Sequence, residues 1–358
     1  MRKYGLPYQG SKNKIADKIM EYIPDAENFY DLFAGGCAMS HCALLSNKFK
    51  SVHANDITDI VILFKDAIEG NLDKYEPERF RSRQEFFDEK DDNPFVRICY
   101  SFSNDQKTYL YSKELEPYKK ALHELIYADT PHERLLKFKK VFRALMELGI
   151  ISTSTPPPTK SKCRKSGGDK KIRQYTEVYN IERIFRVGNI FQSYIQDEPF
   201  ERCYRMNDMQ KYQRIENIER SINVCHNNNA LPELSVSVGD YRDVDTKPNS
   251  VIYCDIPYYA TKEYQNLSNK FDYDAFYDWC EMQTNLVIVS SYWMPDERFI
   301  CIAEFERLST FSASNNSMKR IEKLFVPTHQ FGLYKTMMSL SKRNNQQLNL
   351  FNQDENND

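Results

Sequence analysis

The run Phe29-Tyr30-Asp31-Leu32-Phe33-Ala34-Gly35-Gly36 decides the fold of this chain. Its first five residues form a short apolar strand, and the glycines turn the chain into a helix expected from Cys37 to about Ser46. A second strand, Ser51 to Ala54, is followed by a helix that begins near Ile60 and ends at Gly70. This βαβα order predicts the start of a parallel sheet with helices packed on it.

The same rhythm returns in the last third of the chain. Between residues 65 and 235 the segments are helical, charged and aromatic, without a regular βα order. We therefore expect one α/β domain, 1–64 plus 236–340, split by a large and mostly helical insertion, 65–235. The Asn/Gln-rich tail, 341–358, is expected to be disordered. The later elements expected are strands at 235–238, 250–254 and 286–290, a helix at 274–282, and extended segments at 304–309 and 322–326.

Composition limits the class of protein. The net charge of −2 over 358 residues gives no overall attraction to nucleic acid, so any such affinity must come from local patches. The nine cysteines form no CxxC pair, and the nearest Cys/His group falls in an expected helix and strand, so no metal site is predicted. Because no apolar start segment or membrane-length apolar run occurs, we expect a cytoplasmic protein with reduced thiols and no membrane partner. That Cys/His group is Cys37, His41, Cys42 and His53.

The glycine turn and a later aspartate indicate a ligand crevice. Gly35 and Gly36 lack side chains, so a ligand can approach the backbone between strand and helix. Asp56 follows at the end of the next strand, where its carboxylate can bind the two hydroxyls of a ribose. The alternative is an ordinary turn and a helix-capping aspartate. Together the residues indicate a nucleoside-containing cofactor without identifying it.

A second motif, Asp255-Ile256-Pro257-Tyr258, follows the expected strand 250–254. Open α/β sheets bind ligands at the carboxyl ends of their strands. The Asp255 carboxylate and the Ile256 carbonyl can accept both hydrogens of an aromatic amine, and Pro257 fixes the turn. Tyr258 offers a flat face on which an extruded base can stack. The alternative is a strand-ending turn with a packed tyrosine.

These motifs resemble those of Dam-type DNA adenine methyltransferases. Residues 31–36 are similar to the cofactor loop of that family, 255–258 to its Asp-Pro-Pro-Tyr motif, and 8–12 to its Trp-Ala-Gly-Gly-Lys segment. The resemblance covers about 1–64 and 236–330 in the family's motif order. It implies a Rossmann-like fold, S-adenosylmethionine as the methyl donor, S-adenosylhomocysteine as the product, and double-stranded DNA as the substrate.

The resemblance also implies roles for individual residues. Asp255, Ile256, Pro257 and Tyr258 would be catalytic, and Lys12 would lie near the cofactor and the target base. The hairpin 309–326 would line the base pocket, with Asn315 and Lys319 near DNA. The cofactor-binding residues that the resemblance implies are Tyr8, Lys12, Asp31, Phe33, Ala34, Gly35, Gly36, Asp56, Asp240, Tyr241 and Asp255.

Two residues depart from the family pattern. Ile256 replaces the first proline of the catalytic motif, and because the family uses the carbonyl of that residue, we expect activity to survive. Tyr8 replaces a tryptophan and keeps an aromatic face. The reaction implied is a direct methyl transfer, without a covalent intermediate or a metal, in which positioning supplies most of the rate.

The insertion is the expected target-recognition region, since a base inside a duplex must be flipped out to be reached. A mobile, basic loop is expected at 152–173, where phosphates can be neutralised; otherwise the loop only improves solubility. A helix is expected at 205–224, with its apolar face packed in a core rather than reading bases. The basic residues of the loop are Lys160, Lys162, Arg164, Lys165, Lys170, Lys171 and Arg173.

The tail contains one further signal. Gln347-Leu348-Asn349-Leu350-Phe351 is similar to the pentapeptide by which bacterial polymerases dock on the replication sliding clamp. Such an apolar cluster in a polar tail is typical of a peptide that binds a groove. A bacterial clamp is thus a possible partner, although a tail can also dock on its own domain.

Other functions stay open at this stage. An Asp-x-Pro-Tyr turn suits any planar amine, so a methyltransferase of RNA adenine or of a protein amide is one alternative. An inactive DNA-binding or clamp-associated protein with the same fold is another, for which Ile256 is the evidence. A dinucleotide oxidoreductase is more remote, because no hydride-transfer site is recognisable.

Overall fold

The computed structural model of the chain describes residues 4–127, the single residues 133, 136, 137 and 140, and residues 207–225, 231–258, 271–308 and 319–354. The chain divides into two compact units. The first unit is Met1–Glu69 with Ile218–Asp358, and the second is Gly70–Asn217. The sequence predicts boundaries at 64/65 and 235/236. The roles assigned to the two regions stay predictions.

The first unit contains a mixed sheet with the order β3-β2-β1-β4-β5-β7-β6, which has seven strands in the described part of the chain. The pairs that join β1 to β5 are parallel, whereas β7 is antiparallel to both β5 and β6. The expectation of an α/β fold with a parallel sheet is confirmed. The strands are β1 (Asn28–Asp31), β2 (Ser51–Asp56), β3 (Glu233–Val238), β4 (Ser250–Asp255), β5 (Leu286–Ser291), β6 (Phe299–Leu308) and β7 (Lys319–Pro327).

The described α-helices are labelled here in chain order. The helices are α1 (Ala16–Met20), α2 (Ala38–Leu44), α3 (Ile60–Ile68), α4 (Arg83–Glu89), α5 (Pro94–Cys99), α6 (Glu116–Ile126), α7 (Asn207–Cys225), α8 (Tyr273–Met282) and α9 (Phe331–Asp354). α2, α3, α7 and α8 agree with the sequence expectations to within a few residues, whereas the other helices were not predicted from the sequence.

The position of β1 fixes where a ligand can bind. β1 lies between β2 and β4, and Asp31 at its end is level with Ala54 on one side and Tyr253 on the other. The chain goes from β1 to β2 in one direction, while β4 and β5 extend the sheet in the other, so β1 and β4 flank the point where the strand order reverses. Doubly wound sheets bind their ligands at the carboxyl ends of the strands beside that point.

Apolar strands and aromatic side chains hold the sheet in place. Every residue of β1 is buried, as expected for a parallel strand covered on both faces. One core cluster joins Ile252 and Cys254 of β4 to Val287 of β5 and to Phe276 and Trp279 of α8. Cys254, next to the motif 255–258, is therefore a packing residue. This core fixes the end of β4, from which the motif 255–258 emerges.

In the second unit, local capping and a buried polar cluster organise the described helices. Ser82 and Glu85 form a reciprocal capping box at the start of α4. The carboxylate of Asp208 accepts a hydrogen bond from the Tyr111 hydroxyl and lies 3.0 Å from Nδ1 of His123. All three of these clustered side chains are buried, so their polar atoms depend on one another.

The helix predicted at 205–224 is observed, whereas the tail, predicted to be disordered, is helical as far as Asp354. α7 buries the five apolar residues of its predicted face: Met209, Tyr212, Ile215, Ile218 and Ile222. The tail differs from the expectation of disorder, because α9 continues to Asp354. No glycine or proline follows Gly332 in this helix, so nothing local ends it. The basic loop 152–173 lies outside the described residues.

Candidate active site

Lys12 and Asp255 form the centre of the site. The Lys12 ammonium donates to Oδ1 of Asp255 at 2.5 Å and to the Tyr258 hydroxyl at 2.6 Å. Only 2% of the Lys12 side chain is exposed, against 23% for Asp255. A carboxylate at the end of β4 is thus held at the edge of the sheet by a buried cation from the amino-terminal segment.

A second carboxylate, Glu322 on β7, completes the cluster. Its Oε1 lies 3.7 Å from the Lys12 ammonium and accepts a hydrogen bond from the Ser290 hydroxyl at 2.8 Å. Its Oε2 accepts from the Tyr258 hydroxyl at 2.9 Å. Because Glu322 has no exposed surface, the ammonium and the two hydroxyls take the place of water around its charge.

Burial and the carboxylates of the cluster shift the pKa values of Lys12 and Tyr258. Burial by itself would lower the pKa of Lys12, but Asp255 and Glu322 outweigh burial and raise that pKa above its ordinary value. Burial, followed by the same two carboxylates, raises the pKa of Tyr258 far above its ordinary value. At neutral pH the cluster therefore contains an ammonium ion and a neutral phenol that donates its hydrogen to Glu322.

The ring of Tyr258 is less open than the sequence suggests. Tyr292 stacks on it with a centroid distance of 3.9 Å and an interplanar angle of 14°. One face of Tyr258 is therefore covered in this structure. Behind it, Ile256 is buried in the core, and the Pro257 carbonyl accepts a hydrogen bond from the Tyr273 hydroxyl at 2.9 Å. These contacts fix the turn that carries the motif.

The glycine turn lies beneath the amino-terminal segment. A Cβ atom on Gly36 would come within 2.5 Å of the Cβ of Tyr8, and a Cβ on Gly35 would come within 3.0 Å of the Tyr8 ring. The amide of Leu6 also donates to the Gly36 carbonyl at 2.7 Å. The positions that Cβ atoms of these glycines would occupy are thus taken by Tyr8 and its neighbours, and contact of the two glycines with a ligand stays a prediction. Gly35 also has a φ of +47°, which favours glycine.

Two aspartates bind the backbone around this turn. Asp31 is buried and accepts from the amide and the hydroxyl of Ser40 at 3.1 and 2.6 Å. Burial, with smaller contributions from Asp255 and Asp56, raises the pKa of Asp31 to about 7, against the opposing effect of the Ser40 hydrogen bonds. Asp56 accepts from the Gly35 amide at 2.8 Å and from the amide and hydroxyl of Thr58. Both carboxylates therefore organise the turn.

A comparison with protein families gives a match to the amino-terminal part of the chain. Residues 8–144 match the model of the D12 class N6 adenine-specific DNA methyltransferases. Residues 8–144 therefore belong to this methyltransferase family. The matched range contains Tyr8, Lys12 and the glycine turn, whereas Asp255 and Tyr258 lie outside it. No match to the chain was found among curated proteins.

The remaining predicted cofactor residues of the methyltransferase lie near the same edge of the sheet. Phe33 packs against Tyr241 with a centroid distance of 5.0 Å, and Tyr241 is largely buried. The Ala34 amide donates to the carbonyl of Asn55 at 2.9 Å. Both carboxylate oxygens of Asp240 bind the Arg242 guanidinium. Direct contacts of these residues with a cofactor stay predictions.

Four residues at the site or at its edge have no individual role in the predictions from the sequence. Glu322, Ser290 and Tyr292 contact the motif 255–258 directly or through one another. Ile57, next to Asp56, is 77% exposed. Only Glu322 has a signal in the sequence, since it occupies an inward position of β7 in phase with Leu324 and Val326.

Several predicted sites lie outside the described residues or side chains. The seven basic residues of the loop 160–173 and Asn315 are not among the described residues, and the side chains of Lys319 and of the helical segment 347–351 are not described. DNA and clamp contacts of these residues stay predictions. Among the described residues, no three His, Cys, Asp or Glu side chains are placed to hold a metal ion. The described helices include none of the length and apolar character needed to cross a membrane.

Proposed function

We propose that the chain transfers the methyl group of S-adenosylmethionine to the exocyclic amino nitrogen of an adenine flipped out of double-stranded DNA. The match of residues 8–144 to the methyltransferase family supplies the reaction class. One observation supports the proposed role of the site in methyl transfer. Asp255 ends β4 directly beside the turn that follows β1, and the Lys12 ammonium holds its carboxylate there at 2.5 Å. A carboxylate and the glycine turn therefore lie at the same switch point of the sheet, which supports a ligand site there.

The edge formed by β2 and β3 fits the nucleoside part of the proposed cofactor. Asp56 uses three of the roughly four acceptor positions of a carboxylate on Gly35 and Thr58, which leaves capacity for a ribose hydroxyl. Ile57 offers an exposed apolar surface to an adenine ring. A Cβ atom on Gly239 would have no neighbour within 4 Å, so there is room beside Asp56. When bound, S-adenosylmethionine supplies an electrophilic methyl group on a sulfonium centre.

The motif 255–258 is proposed to hold the target amine. Asp255 and the carbonyl of Ile256 accept one amino hydrogen each, which turns the nitrogen lone pair toward the methyl group. Lys12 fixes the Asp255 carboxylate through Oδ1. Tyr258 and Tyr292 form a stacked pair against which the purine can lie, and base–aromatic stacking contributes about 1–3 kcal/mol.

The insertion is proposed to bind the duplex through the basic loop 160–173. A net charge of −2 leaves the whole chain without an attraction for phosphate, so these clustered cations have to supply it. The alternatives of RNA and protein substrates lose weight, since the family match is to enzymes of DNA. A cytoplasmic location stays a prediction.

The proposal is tested with purified protein, S-adenosylmethionine labelled in its methyl group, and genomic DNA from a host without adenine methylation. We expect label in the DNA fraction, recovered as N6-methyladenine after digestion to nucleosides. RNA transcribed from the same genome is the matched substrate control. Label in RNA alone, or in DNA cytosine, would contradict the proposed function. Sequencing that reports modified adenines then gives the recognition sequence.

A further inference from the structure

Glu322 is a charged side chain in a position where the fold calls for an apolar one. It lies on the inward face of β7 in phase with Leu324 and Val326, and none of its surface is exposed. The proposed methyl transfer uses Asp255, Ile256 and Tyr258 and gives Glu322 no part. Burial of a carboxylate is costly unless partners compensate it, so its contacts indicate what it does.

The hydrogen bonds around Glu322 have one consistent direction. The Lys12 ammonium donates to Asp255 and to the oxygen of the Tyr258 hydroxyl, and that hydroxyl donates its own hydrogen to Oε2 of Glu322. The Ser290 hydroxyl donates to Oε1. Each of these donors therefore meets an acceptor when Lys12 is charged and Tyr258 is neutral. Glu322 is the final acceptor in this series of hydrogen bonds.

Glu322 thus acts on both groups that define the catalytic motif. Its charge lies 3.7 Å from the ammonium that holds Asp255, and its hydrogen bond to the Tyr258 hydroxyl fixes the ring that stacks on Tyr292. Charge-assisted hydrogen bonds are shorter and stronger than neutral ones, so they restrict position more tightly. A glutamine at 322 would fill the same space but would not provide the charge.

We propose that Glu322 is a positioning residue for methyl transfer, which sets the place of the Asp255 carboxylate through Lys12 and the orientation of the aromatic pair through Tyr258. This inference rests on the proposed function. It concerns the chemical step, because Glu322 is fully buried and reaches the reacting groups only through its neighbours. Binding of cofactor and DNA should therefore be nearly unchanged when its charge is removed.

The test compares E322Q and E322D with the wild type in steady-state methylation of DNA. E322Q should lower kcat by about ten- to hundredfold, with the KM values for S-adenosylmethionine and DNA close to those of wild type. E322D, which keeps the charge, should recover part of the lost kcat. Circular dichroism and thermal melting establish that each variant is folded.

Two serine variants give a matched comparison that does not require folding of E322Q. Ser290→Ala removes one hydrogen bond to Glu322, whereas Ser291→Ala removes a hydroxyl on the same strand that donates to the carbonyl of Trp293. We expect a reduced kcat in Ser290→Ala and a wild-type kcat in Ser291→Ala. Equal rates for the two serine variants, or a wild-type kcat in E322Q, would overturn the inference. A wild-type protein without adenine methylation would instead contradict the proposed function.

Discussion

Replacement of Lys12 by methionine removes the buried cation on which the site depends. Methionine keeps most of the aliphatic length and removes the ammonium that contacts Asp255, Tyr258 and Glu322. Two carboxylates then face each other without a counter-charge. One of them, Glu322, is fully buried, and the other is 23% exposed.

The expected loss in the free energy of unfolding follows from how far Glu322 and Asp255 are exposed to water. Loss of one partner of a buried ion pair typically costs about 3–5 kcal/mol, because the remaining charge has no compensation. Water can reach Asp255, so we expect a value near the lower end of that range, about 3 kcal/mol. The pKa of Lys12 is raised in the folded state, so its stabilisation is fully present below the unfolded-state pKa near 10.4 and is lost only as pH rises through the higher folded value.

The assay is urea unfolding of wild type, Lys12→Met, Glu322→Gln and the double variant, followed by circular dichroism at about pH 8 and about pH 5. The loss in Lys12→Met should be smaller at the lower pH, where an unpaired carboxyl group can take up a proton. The double variant should recover part of the loss, since it removes one of the two facing acids.

Two results would refute this reasoning. One is a Lys12→Met protein that unfolds at the same urea concentration as wild type at about pH 8. The other is a strictly additive double variant, which would mean that Lys12 and Glu322 do not interact energetically.

Three further predictions concern other parts of the fold. Asp208→Asn should cost about 1–3 kcal/mol in urea unfolding at neutral pH, because it disturbs the buried hydrogen bonds of Asp208 with Tyr111 and His123. Burial alone would raise the pKa of Asp208, but His123 and the Tyr111 hydroxyl lower it. The stabilisation is therefore present above about pH 3.9 and is lost as pH falls through the lower pKa of the folded state. An equal cost of Asp208→Asn at low pH would contradict this. Gly36→Ala should displace Tyr8 and weaken S-adenosylmethionine binding about tenfold or more in calorimetry, since the new Cβ would lie 2.5 Å from that of Tyr8; unchanged affinity would argue against this packing. Ser82→Ala should lower stability by about 1 kcal/mol in thermal melting through loss of the α4 cap, and an unchanged melting temperature would speak against the capping box.

The elements of the sheet were predictable because their signals are local. The apolar run before Gly35 and the motif after β4 are each contained in a few residues, and alternating strands and helices imply a sheet whose carboxyl ends share one edge. The predicted strand at 250–254 and the observed β4, Ser250–Asp255, differ by one residue. Asp255 was therefore placed at the correct edge from the sequence.

The contacts that complete the site were not predictable in the same way. Lys12 and Tyr258 are separated by 246 positions, and their meeting depends on how the amino-terminal segment crosses the glycine turn. Glu322 is brought to Lys12 only by the antiparallel insertion of β7 beside β5. Such non-local pairings leave at most a weak trace in a single sequence, here an acid at an inward strand position.

The glycine turn and the tail show two other limits of predicting structure from a single sequence. A pair of glycines indicates close approach of something to the backbone, but it does not distinguish a ligand from another part of the chain; here Tyr8 fills that space. The polar composition of the tail predicts disorder, whereas its freedom from glycine and proline after Gly332 permits α9 to continue. In both cases one pattern allows two physical outcomes.

The most direct test of the account is single-turnover methylation by Asp255→Asn on DNA that carries the recognition sequence. Asparagine keeps the size of the side chain and removes the negative charge that is proposed to draw the adenine amine toward the donor. We predict a methyl-transfer rate lower by on the order of 100-fold, with DNA and S-adenosylmethionine still bound. A wild-type rate of N6-methyladenine formation by the Asp255→Asn protein would contradict it.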